Sequence, residues 1–141
     1  MIWNTLVGLV GVIIGGCIGF FGQFIPLTYQ RYSDMTYIAG SLAGEISALL
    51  DELSKNNGGD IYIEEDCFEI FRANAGRIGL LGSCAKDVAS FYSEVKKLYH
   101  KKKDGKVLVA DIDSVQNKGK TLKPSLETLS NRCYIGWLFC R

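Results

Sequence analysis

The chain has 141 residues, 48% of them hydrophobic and 22% charged, with a formal net charge of +1. Set apart from its uncharged first thirty residues, the remainder is large enough for one hydrophobic core and too small for two. A single histidine, His100, cannot supply a metal cage, and P-loop, G-x-S-x-G and H-E-x-x-H motifs are missing, so the sequence predicts no metal, no cofactor and no enzyme.

Residues 1–30 contain no Lys, Arg, Asp, Glu or His. An apolar run of roughly 20 residues, rising about 1.5 Å each, crosses a hydrocarbon core of about 30 Å, whereas a soluble helix needs a polar side. The reading is a transmembrane helix. A secretory signal would want a basic n-region and an A-x-A cleavage pattern, and neither is present. The words Ile14-Gly15-Gly16-Cys17 look like a lipoprotein processing box, but the chain stays apolar after Cys17 where a lipoprotein turns polar.

Within the span, Gly8, Gly11, Gly15, Gly19 and Gly22 follow one another at steps of 3, 4, 4 and 3. That spacing aligns them along one stripe of a helix. Lipid tails are as apolar as leucine, so membrane helices associate by close backbone approach, which a stripe without side chains permits. Glycine is also common in membrane helices for no such reason. Five in register favour a contact with a second copy. Leu9, Val12, Ile13, Phe20, Phe21 and Phe24 are left to meet lipid. Arg31 is the first basic residue and none precedes it, which by the positive-inside rule puts the rest of the chain in the cytoplasm. The expected localisation is therefore the inner membrane, single-pass. Trp3 at one end and Tyr29 and Tyr32 at the other suit the two interfaces.

Pro26 is expected to kink or end this helix. An amphipathic helix follows, with Met35, Ile38, Ala39, Leu42, Ala43, Ile46, Leu49, Leu50 and Leu53 inward and Asp34, Glu45, Asp51 and Glu52 outward. Ser33 or Asp34 can cap it, and Asn56-Asn57-Gly58-Gly59 can end it. Residues 59–66 form an acidic connector, and Asp66 with Glu69 makes a capping box for a short helix that Gly76 stops. Residues 77–82 read as a buried apolar loop, with Ser83 capping a helix that turns Val88, Phe91, Tyr92, Val95, Leu98 and Tyr99 inward and ends near Asp104-Gly105. Residues 107–115 fit helix or strand, helix being preferred. Lys118-Gly119-Lys120 reads as a loop, and Pro124 as the first turn of a closing helix through Leu126, Leu129, Cys133, Tyr134 and Trp137. The fold class is all-α: a transmembrane helix over 1–30 and a small cytoplasmic helical bundle over 31–141.

Phe71, Asn74, Ile78-Gly79-Leu80-Leu81, Ala89 and Phe91-Tyr92 together resemble a pattern in small bacterial proteins with one N-terminal membrane helix and a helical cytoplasmic domain. The resemblance spans residues 68–92 and implies architecture rather than activity. More loosely, the layout is similar to the membrane proteins that accompany RNA-targeting CRISPR systems, which implies pore assembly and a part in bacterial defence. The degraded nuclease motif of those proteins, Arg-x₄₋₆-His, has no counterpart at His100, so nuclease function does not carry over.

Charge is strongly segregated. Residues 1–69 hold two basic and nine acidic side chains, a net of −7, and residues 70–141 fourteen basic and six acidic, a net of +8. Either neighbouring copies meet acidic face to basic face, or the halves neutralise each other within one chain. Lys96, Lys97, His100, Lys101, Lys102, Lys103 and Lys106 form the densest basic cluster. A solvated helix end favoured by the macrodipole explains it most simply. Anionic lipid is the next candidate partner. Nucleic acid is disfavoured, because the cluster lacks interleaved aromatics in sequence. Cys67, Cys84, Cys133 and Cys140 have no C-x-x-C spacing, and Cys84 beside Lys86 is the best of several poor nucleophile candidates. Glu64-Glu65-Asp66 and Asp111-Ile112-Asp113 read as connector and surface. The expected function is a self-assembling membrane protein that acts as a pore or permeability effector. A membrane-tethered adaptor for a protein partner is the alternative, and a peripheral nucleic-acid-binding membrane protein a third.

Overall fold

The computed structural model describes residues 2–55 and 68–133. Every element among them is helical: α1 (Ile2–Lys55), α2 (Glu69–Asn74), a 3₁₀ helix (Ala75–Leu81), α3 (Cys84–Lys103) and α4 (Val109–Ser130). Contacts divide the chain into two units, Met1–Ser33 and Asp34–Arg141. The stop at residues 56–59, the acidic connector, the Asp66 half of the capping box, and Tyr134 and Trp137 lie outside the described residues.

In the first unit α1 is long and apolar enough to cross a membrane. It passes through Pro26 without ending, against expectation. A proline ring crowds the carbonyl one turn earlier, here that of Gly22, and a residue without a Cβ leaves that carbonyl room to tilt. Thr28 donates its hydroxyl to the carbonyls of Phe24 (3.0 Å) and Ile25 (2.9 Å), a local bond that suits an exposed helical threonine. Ser33 and Asp34 do not cap a new helix either, since α1 continues through them and no free N–H groups arise there.

In the second unit the apolar stripe of α1 is buried as its spacing predicts: Met35, Ile38, Ala39, Leu42, Ala43, Ile46, Leu49 and Leu53 form one wall of the core, with Leu50 at its half-buried edge. Each buried Met, Ile or Leu among them contributes on the order of 1.5–3 kcal/mol by leaving water, and the two alanines less. Val88, Phe91, Tyr92, Val95 and Leu98 supply the wall from α3, and Val115, Leu122 and Leu126 that from α4. Cross-contacts give the register. Glu45 bonds Tyr92, Lys123 Nζ donates to Ser47 Oγ at 3.0 Å, and a Cβ on Gly40 would stand 3.7 Å from the Cβ of Ser130. With Asp34 ion-paired to Arg77, these contacts make α3 run parallel to this part of α1 and α4 antiparallel to it. The turn between α3 and α4 thus lies at the end of the unit opposite Asp34.

Several boundaries differ from expectation. Gly76 does not stop the helical path, and residues 77–82 are not a loop: α2 passes into a 3₁₀ helix that buries Ile78 and Leu81. The tighter coil lets a short apolar segment satisfy its backbone while turning two side chains inward. Ser83 stands at the start of α3 but has helical dihedrals and makes no side-chain cap. Gly82 (φ 59°) supplies the turn before it. At the far end of α3, Gly105 (φ 67°) closes a Schellman motif, with Gly105 N–H bonded to the Lys102 carbonyl and Lys106 N–H to the Lys101 carbonyl, both at 2.9 Å.

Of residues 107–115, 109–115 are helical as preferred, whereas Val107 and Leu108 precede the helix, with Leu108 in an extended conformation (φ −103°, ψ 148°). Lys118-Gly119-Lys120, however, lies inside α4 rather than in a loop, and Pro124 stands near its end rather than in its first turn. Gly119 is buried because α4 comes close to α1 and α3 there. A Cβ at that position would sit 2.9 Å from Leu50 Cδ2 and 3.1 Å from Phe91 Cε2. Pro124 is exposed, so the carbonyl its ring leaves without a partner is on the solvent side, where water serves.

Candidate functional site

Two features stand out, one in each unit. In the first unit every side chain from residue 7 to residue 27 is exposed, Val12 at 73%. Space is open at Gly8, Gly11, Gly15, Gly19 and Gly22, where an added Cβ would meet nothing within 4 Å. Phe20 stacks on Phe24 (5.7 Å, 11°) and meets Phe21 edge-on (5.8 Å). An apolar surface this continuous exceeds what soluble monomers expose.

In the second unit the basic cluster of α3 is split between two faces. Lys96 and His100 face α2, while Lys97 and Lys101 face the start of α4. Lys101 donates to Asp111 Oδ1 at 2.7 Å, and Asp111 Oδ2 also accepts the Leu108 N–H at 3.3 Å, which fixes the first turn of α4. These bonds, the Lys101 one first, hold the Asp111 carboxyl below its ordinary pKa. Lys101 to Lys103 complete the last turn of α3, where cations favour the helix dipole.

The α2-facing side carries what sequence order concealed. Phe68, Phe71 and Arg72 come to lie opposite Tyr92, Lys96, Tyr99 and His100 around a cleft of about 410 Å³. Phe71 stacks on Tyr92 at 4.1 Å and 18°, and Phe68 meets the same ring at 6.2 Å. Behind them lies Glu45, 9% exposed rather than outward as expected. Its carboxylate accepts the Tyr92 hydroxyl and, at 2.9 Å, the N–H of Ile70 in the first turn of α2. Glu45 therefore caps α2 from another helix and fixes the ring against which Phe71 packs. Burial, helped by the Glu45 bond and charge, raises the Tyr92 pKa far above that of an ordinary phenol. The spacing of Glu45 from Leu42 and Leu49, three and four residues away, was the available signal that it shares their inward face.

Among the described residues no group of His, Cys, Asp and Glu could hold a metal. Cys17 and Cys133 are free and exposed, and Cys84 is free and half-buried. Asp34–Arg77 joins the acidic and basic halves, while Lys101–Asp111, Lys118–Glu94 and Lys123–Glu127 lie inside the basic half. Neither a family model nor a curated protein nor a solved structure matches the chain.

Proposed function

We propose that this is a single-pass membrane protein that self-associates through its glycine stripe, with the helical unit after Asp34 in the cytoplasm. The observation that carries the reading is the open space at all five stripe glycines, on a stretch of α1, residues 7–27, that the protomer leaves exposed throughout. Close approach of two such stripes brings backbones into van der Waals range and orders no side chain, which is how helices gain attraction in a bilayer. A ring of these helices would line a passage with small apolar groups and no charged collar, making it a permeability effector of low ion selectivity.

The test is mass photometry of the full chain in lipid nanodiscs, with dye release from vesicles measured in parallel. The parent is expected as an oligomer that leaks dye, and Gly11→Leu/Gly15→Leu/Gly19→Leu as an inserted monomer that does not. An oligomer that seals its vesicles would leave self-association standing and remove the pore. A monomeric parent would remove both and leave the tethered adaptor, for which the span is only an anchor.

A further inference from the structure

We propose that the cleft between α2 and α3 binds a nucleotide, recognised as a planar base carrying phosphate. Its walls and its charge come from two short helical stripes. Tyr92, Lys96, Tyr99 and His100 fall at steps of 4, 3 and 1 on one face of α3, and Phe71 and Arg72 face them from α2. At about 410 Å³ the cleft is of the size that encloses one small ligand rather than a length of strand.

The chemistry at the two levels of the cleft differs. Tyr92 is buried and held by Glu45, and Phe71, stacked on it, is half-buried, so aromatic surface remains accessible on Phe71 and on the half-buried Tyr99. Rings fixed in this way offer a stacking platform whose ordering cost is already met by the fold. Arg72, Lys96 and His100 are exposed at the rim, and Lys96 is in none of the ion pairs among the described residues. The Glu45 carboxylate is occupied behind the rings by Tyr92 and the Ile70 N–H, and no carboxylate is among the described residues that line the cleft. Planar apolar walls with a cationic rim match a ligand that is aromatic at one end and anionic at the other. An inorganic anion would leave the rings unused, and an uncharged ring would leave the Lys96 ammonium unused.

The experiment is fluorescence anisotropy of an N-methylanthraniloyl-labelled adenosine diphosphate with the full chain in nanodiscs, competed by unlabelled adenosine monophosphate, by a short single-stranded oligoadenylate and by inorganic phosphate. Saturable binding is expected, weakened by salt. Phe71→Ala and Lys96→Glu, both at accessible positions, should each lower affinity about tenfold with helicity unchanged by circular dichroism. Lys118→Ala, on the α3–α4 side, should leave it unchanged. Displacement by the monophosphate assigns a free nucleotide, and displacement by the oligoadenylate alone assigns a strand terminus. No saturation up to about 1 mM, which leaves any affinity roughly a thousandfold poorer than a micromolar complex, would overturn the proposal, as would equal competition by inorganic phosphate or an unaffected Phe71→Ala. Because the readout does not depend on assembly, it stands or falls apart from the glycine stripe.

Discussion

Gly119 and the glycines of the span are the same residue under opposite conditions. At Gly119 the protomer already occupies the space, Leu50 and Phe91 lying where a Cβ would go; at Gly11, Gly15 and Gly19 there is nothing within 4 Å. One is a close approach completed within the chain, and the others leave their approach unfilled. The contrast teaches that an absent side chain is informative only together with what stands opposite it. It also separates the two units by what their side chains meet: aliphatic and aromatic groups are buried against one another after Asp34, and large apolar side chains stand exposed before it.

The most forceful way to break the comparison is to fill both kinds of site. Gly11→Leu/Gly15→Leu/Gly19→Leu should abolish assembly in nanodiscs, the largest effect expected, while the thermal unfolding of the helical unit stays where it was. Gly119→Val should do the reverse, lowering the stability of that unit by about 2–3 kcal/mol through overpacking against the fully buried Phe91 ring, while particle mass is unchanged. If both variants altered both readouts, the separation of roles would be wrong.

What the sequence made legible follows the same division. The inward stripes of α1 and α3 could be read because helical periodicity is a local property, and Leu42, Ile46, Phe91 and Val95 lie where it puts them. Gly119 and Pro124 were misread because each is a breaker by local propensity, and only the close packing around Gly119 and the outward placement of Pro124 make both acceptable inside α4. The cleft was hidden for a different reason. Tyr99 lies within the basic cluster and Tyr92 one turn before it, but Phe68 and Phe71 join them only once α2 packs on α3.

The Glu45–Tyr92 bond sharpens the comparison at intermediate scale, because it holds α1, α2 and α3 together and has no counterpart in the exposed span. Tyr92→Phe leaves the buried Glu45 carboxylate with the Ile70 N–H but without the phenol that Oε2 accepts from, at a cost of about 1–3 kcal/mol near neutral pH. The phenol's pKa is raised by folding, so the stability it provides is complete below the unfolded value of about 10 and is lost as pH rises beyond it. Denaturant titrations should therefore show the parent losing about 1.4 kcal/mol per pH unit above about 10, with the variant spared that loss. A difference between the two that is flat from pH 7 to 11 would mean that Tyr92 is not held as described.

The smallest effect is expected at Asp111, where a solvated ion pair with Lys101 and a single backbone bond fix the start of α4. Folding lowers this carboxyl's pKa, so its contribution is present above the unfolded value of about 3.9 and disappears as pH falls through the folded value below it. Asp111→Asn should lower the melting temperature slightly at neutral pH, less so in high salt because exposed charges are screened. Parent and variant should converge under strong acid, when the parent's carboxyl is also uncharged. Assembly should be indifferent throughout, since both partners of the pair belong to the unit that keeps its own core. If instead the acid transition of the parent changed particle mass, the helical unit would be taking part in the association, and the glycine stripe could no longer be treated as its sole seat.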